Sequence, residues 1–399
     1  MAKILYITPF FNFPPKDGAS YRSVYLFEKL CEKHDVVLLT YPNKGLEPYP
    51  GQINGKIRIH ELPFKRKSNK IHSFFKRLIS AELPGFATHD INTISENIDN
   101  LILEYGQFDI HYFATQLMGQ IVLKKKYPGL NIIDLYDIYV EHRVGKISDV
   151  PIWKPFHWLF RLEAFRVKNY ERKILKHFDH ILVTCEEESK IINELVYKAS
   201  IFKLPNGIIY PKKINKTSQT GNILMVGNFE HSPNMEGILW FYNKVWKIVK
   251  KRYEDSKLIL VGKMPESLKK TFSNDEDIKV EGLVPELGPY YELASCVIIP
   301  IFHLSGIKIK LLEAMAYGIP IVSTQTGGMG FEDIPTIKFA DTPESFAYAI
   351  EKILTNNIVT GEEIEETRKM IYKGYTWDKI GNDLNDIICS LEKTRSSSV

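Results

Sequence analysis

The sequence turns on residues 305–324, Ser305-Gly-Ile-Lys-Ile-Lys-Leu-Leu-Glu-Ala-Met-Ala-Tyr-Gly-Ile-Pro-Ile-Val-Ser-Thr324. They run from a glycine turn into a helical pattern, stop at Gly318 and continue as a buried strand. Gly306 allows backbone to approach a ligand closely, and the free N–H groups of a helix start favour an anion. Lys308 and Lys310 add positive charge there. Glu313 follows Lys310 by three residues, on a neighbouring helix face. The same residues also suit an ordinary buried helix with a Lys310–Glu313 surface pair.

Outward from this segment, short β-branched runs alternate with amphipathic stretches. Strand candidates are Ile4–Thr8, Val36–Thr40, Ile57–Leu62, Ile110–Phe113, Ile132–Tyr136 and Ile181–Thr184. A second series follows at Ile223–Val226, Leu258–Val261, Ile278–Val280, Val297–Pro300 and Ile319–Ser323. Helical patterns lie between them, at Ser20–Lys33, Ile91–Tyr105, Pro233–Lys251, Ile307–Tyr317 and Pro343–Leu354. Such alternation predicts an α/β protein whose parallel sheets carry helices on both faces. It occurs twice, and the turn signal Leu204-Pro205-Asn206-Gly207 separates the two blocks. The expected organisation is a first domain over 1–205, a second over 206–375, and a C-terminal helix with a frayed tail over 376–399. Two such domains are expected to present a cleft at the carboxyl ends of their sheets.

Composition agrees with this reading. A chain of 399 residues, 44% hydrophobic and 25% charged, suits two or three globular domains and excludes collagen, coiled coil or wholesale disorder. Cys31, Cys185, Cys296 and Cys389 are far apart in sequence, so neither a disulfide framework nor a paired-cysteine metal knuckle is expected. No signal peptide and no run of about 18 apolar residues is visible, and a cytoplasmic protein is expected. Net charge is +4, little for a nucleic-acid partner. Up to Pro205 there are 29 Lys and Arg against 23 Asp and Glu; from Asn206 there are 23 against 25.

The 305–324 segment resembles the donor-binding signature of family 4, or "group 1", glycosyltransferases, which have the GT-B architecture of two Rossmann-like domains facing across a cleft. Further matches come in order along nearly the whole chain. They are the glycine loop Pro14–Gly18 with Arg22, Leu162-Glu163 with Tyr170-Glu171-Arg172, Pro205–Ile208, Gly227–Gly237, Val261-Gly262, Gly282–Pro285 and Trp377. The resemblance implies a nucleoside diphosphate sugar as co-substrate, with no resident cofactor. It implies donor-binding roles for Gly18, Arg22, Gly227, Lys263, Gly282, Leu283, Ser305, Gly306, Ile307 and Glu313. It also implies a glycan or lipid-linked saccharide acceptor, in cell-surface polysaccharide synthesis, with retained anomeric configuration.

Three positions depart from the pattern. Ser305 stands where many members have a glutamate. Asn228 and Asn234 lie where many have Arg and Lys. Asp134–Asp137 lacks a histidine that relatives often carry near Tyr136. The leaving diphosphate then depends on Lys308 or Lys310, on Lys263 and on helix amides acting where charge develops. Of the two lysines of the helix start, Lys310 is preferred unless the helix begins near Lys308, when both can reach inward. No nucleophile is nominated. Asp137 or Glu141 is the candidate for positioning or deprotonating the acceptor; either could equally be a loop carboxylate paired with His142 or Arg143.

Other features read more plainly. Asp275-Glu-Asp277 is expected to be a solvated acidic loop, and no metal is expected. Gly327–Gly330 lacks the dinucleotide spacing and reads as a flexible loop, which the resemblance puts beside the donor. Cys185 is expected in the core. Two basic aromatic segments, Phe64–Lys67 with Phe74–Arg77 and Trp153–Lys176, suit either an anionic membrane interface on the inner leaflet or a solvated helix face. Two rivals to a transferase stay open: a non-catalytic binding or scaffold relative, and a two-domain nucleotide-sugar epimerase.

Overall fold

The computed structural model describes residues 1–15, 17–42, 57–63, 91–136, 138, 155–196, 199–215, 221–303, 308–356 and 358–396. The chain divides into two compact units, Met1–Pro205 with Trp377–Val399, and Asn206–Thr376.

The first unit holds seven parallel strands: β1 (Lys3–Thr8), β2 (Asp35–Thr40), β3 (Arg58–Glu61), β4 (Ile110–Ala114), β5 (Leu130–Asp134), β6 (His180–Val183) and β7 (Ser200–Lys203). Their order is β3-β2-β1-β4-β5-β6-β7. Side chains alternate across a strand, so each apolar run feeds two cores. Leu5, Ile7, Val37 and Leu39 enter one. Ile4, Tyr6, Val36 and Leu38 enter the other. The helix Gly18–Lys33 covers this second face, and the C-terminal helix Trp377–Ser396 packs on it through Trp377, Ile380, Leu384 and Ile388. Tyr25 stacks on Trp377 with ring centroids 5.2 Å apart. Close approach requires Gly381, where a Cβ would come within 2.2 Å of Lys29 Cγ.

The second unit repeats the plan with six parallel strands: β8 (Asn222–Val226), β9 (Lys257–Val261), β10 (Ile278–Gly282), β11 (Cys296–Ile299), β12 (Ile321–Ser323) and β13 (Ile337–Phe339). Their order is β10-β9-β8-β11-β12-β13. In each sheet the chain steps outward from its first strand, then returns to start again on that strand's other side. The crevice at the carboxyl ends of β8 and β11 is therefore a topological switch point, the usual ligand position of open α/β sheets.

The sequence reading and the structure differ mainly at sheet edges. β7 and β13 were not expected. Both are edge strands of four and three residues, half-exposed for most of their length, so neither carries a buried apolar run. The key helix spans Ile309–Ala316, with Lys308 as its extended N-cap.

Candidate functional site

Three glycines close the carboxyl ends of β8, β9 and β10. Gly227 donates its N–H to Val261 O at 3.0 Å, and Gly262 donates to Gly282 O at 2.7 Å. Gly262 has φ +132°, and a Cβ there would lie 2.0 Å from Gly227 O, so only glycine fits. Gly282 adopts φ +72°. Gly227 itself faces the helix starts: a Cβ would meet the Asn234 amide at 3.1 Å and Lys310 Nζ at 3.2 Å.

Lys310 reaches across the switch point from the helix after β11 to the helix Ser232–Trp240 after β8. Its Nζ donates to Asn234 Oδ1 at 2.5 Å. Asn234 is fixed in turn, donating Nδ2 to Asn228 O at 2.8 Å. Lys308, in the turn before the helix, donates its Nζ to Thr326 O at 3.1 Å. The helix thus begins where both lysines can serve one recess. Lys310 and Glu313 keep some exposure yet are largely enclosed. Burial pushes the Lys310 amine down to about 7; the Lys308 charge adds to this and Glu313 opposes it. Burial pushes the Glu313 carboxyl up to about 7, against a hydrogen bond donated by Tyr291 and the charge of Lys310. Among the described residues Lys310 makes no ion pair. A partly desolvated amine beside a second cation and a neutral amide is an arrangement that an anion would relieve.

The remaining nominated residues are scattered. Lys263 is half-exposed and pairs with Glu230 at 2.6 Å, while its carbonyl accepts from Phe229 N. Leu283 is exposed beyond β10. Gly18 is the exposed first residue of its helix, whose N-cap is Asp17. Asp137, Ser305, Gly306 and Ile307 lie outside the described residues, as do Glu141, the whole of the first basic aromatic segment and the start of the second.

Arg22 is placed differently from the expectation of a donor contact. It is 1% exposed in the first unit. Its Nε and Nη2 donate to the two carboxylate oxygens of Asp134 at 2.9 and 2.7 Å, and further N–H groups donate to Leu204 O and Pro205 O. Tyr112 donates to the same carboxylate at 2.8 Å. These bonds tie β5 to the end of the first domain through Arg22, a structural role on the described contacts.

Two more expectations change on the structure. Gly327 and Gly328 are buried, with would-be Cβ atoms 2.5 Å from Ile299 O and 2.5 Å from the Phe339 ring, so this turn is tightly packed rather than flexible. It does adjoin Lys308 through Thr326. The acidic triplet is also integrated: Asp275 accepts from Trp246 Nε1 at 2.9 Å, and Asp277 pairs with Lys250 at 2.7 Å. Among the described residues no three His, Cys, Asp or Glu side chains are grouped to hold a metal. Cys185 is buried in the core as expected, and burial pushes its thiol up to about 12.

Sequence reasoning quoted Gly262 among the motif matches without giving it a role, and it missed Asn234 as the partner of Lys310 and Tyr291 altogether. The Gly227–Gly262–Gly282 spacing offered a signal, since each glycine directly ends or follows a strand. Tyr291 gave none.

Residues 220–356 match the model of the family described as "Glycosyl transferases group 1". Over its length the chain superposes on sucrose-phosphate synthase from Thermosynechococcus elongatus with a TM-score of 0.73 at 17% identity, covering 99% of this chain and 100% of that one. The fold is GT-B. The same GT-B frame is seen in Anabaena Alr3699/HepE, solved in complex with UDP and glucose, at a TM-score of 0.64 and 11% identity over 98% of this chain and 100% of that one. In sequence the chain is 31% identical over 196 residues to an uncharacterized 44.6 kDa protein in the cps region of Klebsiella pneumoniae, 45% of this chain and 47% of that protein. It is 27% identical over 152 residues to an uncharacterized glycosyltransferase of Haemophilus influenzae, 36% of this chain and 41% of that protein. The matches thus span about half the length of these curated relatives or less. Within the GT-B fold, the family match covers all six strands of the second sheet and the whole Gly227–Lys310–Glu313 recess.

Proposed function

We propose that the protein is a glycosyltransferase that takes a sugar from a nucleoside diphosphate donor bound in the second unit. The observation that carries this is the convergence of Gly227, Lys308 and Lys310 at the switch point of the second sheet. There, close backbone, a helix start and two amines offer a diphosphate site. Glu313, three residues into the helix from Lys310, accepts the ribose hydroxyls in this reading. Catalysis then consists of breaking the bond between the sugar's anomeric carbon and the diphosphate oxygen. That carbon bonds to an acceptor oxygen, and the acceptor proton passes to the leaving phosphate. The amines neutralise the charge that develops on the diphosphate. No metal is assigned, and turnover should survive excess EDTA.

The acceptor we favour is a glycan or lipid-linked saccharide of a cell-surface polysaccharide, with retained configuration. The cps-region relative supports the pathway. The acceptor's class is supported by the helix Pro155–Leu175, whose outer face exposes Leu162 and Phe165 among Arg161, Lys168, Arg172 and Lys173. That face suits peripheral contact with an anionic cytoplasmic leaflet. No helix of the described residues is long and apolar enough to cross a membrane.

Titration with UDP, GDP and ADP by calorimetry tests the reading. At least one should bind wild-type protein, and Lys310→Ala should abolish or sharply weaken that binding while the apo melting temperature holds. Absence of binding by all three, or full affinity in a folded Lys310→Ala, would overturn the donor site.

A further inference from the structure

Glu313 is not left to orient itself. Tyr291, in the helix Gly288–Leu293, is fully buried and donates its hydroxyl to Glu313 Oε2 at 2.9 Å. Its ring stacks on Tyr317, with centroids 5.0 Å apart and planes 16° apart. Tyr317 caps the Glu313 helix, its N–H bonding to Glu313 O at 2.9 Å. The Tyr317 hydroxyl closes over the start of the Tyr291 helix, where a Cβ on Gly288 would lie 2.8 Å away. The two tyrosines therefore lock two helices together around one carboxylate. Burial and the charge of Glu313 hold the Tyr291 phenol far above its ordinary range, so it donates at every neutral pH.

Resting on the reading of Glu313 as the ribose acceptor, we infer that Tyr291 is a positioning residue for the donor's ribose. Its hydroxyl occupies Oε2 and presents Oε1 to the ribose diol. A free glutamate must surrender rotamer freedom when it binds a diol; one whose other oxygen is already tethered has done so in advance. Tyr317 supports the same geometry from one turn further on, by fixing the plane of the Tyr291 ring.

The test is a ligand–mutant cycle. Dissociation constants are measured for whichever of UDP, GDP and ADP binds wild type best, and for its 2′,3′-dideoxy analogue. Wild type should prefer the ribose form by roughly tenfold or more. Tyr291→Phe should lose roughly fivefold on the ribose form and nothing on the dideoxy form. An equal loss on both would show a merely structural tyrosine and overturn the inference, leaving Glu313's role intact. Equal binding of both forms by wild type would instead remove Glu313 from the ribose, and this inference with it. Should Tyr291→Phe fold poorly, Tyr317→Leu should give the same ribose-selective loss on a smaller scale, and a non-selective loss there overturns it equally.

Discussion

Arg22 and Lys310 stand at comparable points of two sheets with one strand order. Each lies on a helix that leaves a strand's carboxyl end, and each is enclosed by protein. Arg22 meets a carboxylate in bidentate geometry and two backbone carbonyls. Lys310 meets one neutral amide oxygen and, nearby, another cation. The first cation is satisfied by the fold. The second is neutralised instead, its amine driven toward the neutral form. Position at a sheet's carboxyl end is therefore insufficient to make a site; what matters is whether the protein has already supplied the counter-charge. The motif nominated both residues alike, and the structure places Arg22 on a carboxylate and Lys310 in the recess beside Gly227.

The contrast breaks most sharply at Asp134. Asp134→Asn leaves Arg22 buried without its carboxylate, and should cost about 3–5 kcal/mol of unfolding free energy in urea. Nucleoside diphosphate affinity of the folded protein should stay put; a loss there instead would make Arg22 functional after all. Lys310→Ala should do the reverse. It should leave stability level or slightly raised, since a desolvated amine disappears, and lower kcat by about 10²–10³. A stability loss comparable to that of Asp134→Asn would show Lys310 to be structural. Glu313→Gln lies lower still. It keeps the shape and the Tyr291 contact, and should weaken nucleotide binding by about 1.5–3 kcal/mol with an unchanged fold.

Much of this arrangement was legible in advance because it is written in periodicity and punctuation. Both sheets follow from apolar runs such as Ile4–Ile7 and Ile223–Val226, which are buried on both faces and so carry a strong signal. The break at Pro205-Asn206 follows from turn chemistry, and the Glu313 helix from Gly306 and Gly318. The missing parts depend on partners distant in sequence. Nothing near Arg22 announces Asp134, 112 residues on. Nothing near Glu313 announces Tyr291, whose hydroxyl matters only once two helices meet. Asn234 is instructive in the other direction. Judged alone it reads as a lost basic residue, yet in the structure it is the acceptor that orients Lys310.

The last prediction concerns pH, where the two residues act in opposite senses. Burial pushes Lys310 from 10.5 down to about 7 and Glu313 from 4.5 up to about 7. Between 4.5 and 7 the folded protein holds a proton on Glu313 that the unfolded chain has released, so this residue's contribution to stability falls as pH rises. Between 7 and 10.5 the unfolded chain carries a proton on Lys310 that the folded protein lacks, so stability rises again with pH. Together they place a minimum near pH 7 in the apo protein's stability. Glu313→Gln should flatten the acid limb and Lys310→Met the alkaline one. A bound diphosphate reverses the lysine's preference, because it favours the charged amine. Above pH 7, where a terminal phosphate is already ionised, binding must then take up a proton. Affinity should fall with pH by at most about tenfold per unit, and this slope should vanish in Lys310→Met. Calorimetry in two buffers of different ionisation enthalpy reads the proton directly. Zero uptake at pH 8 by wild type would place the diphosphate away from Lys310 and return the two cations of the comparison to the same structural class.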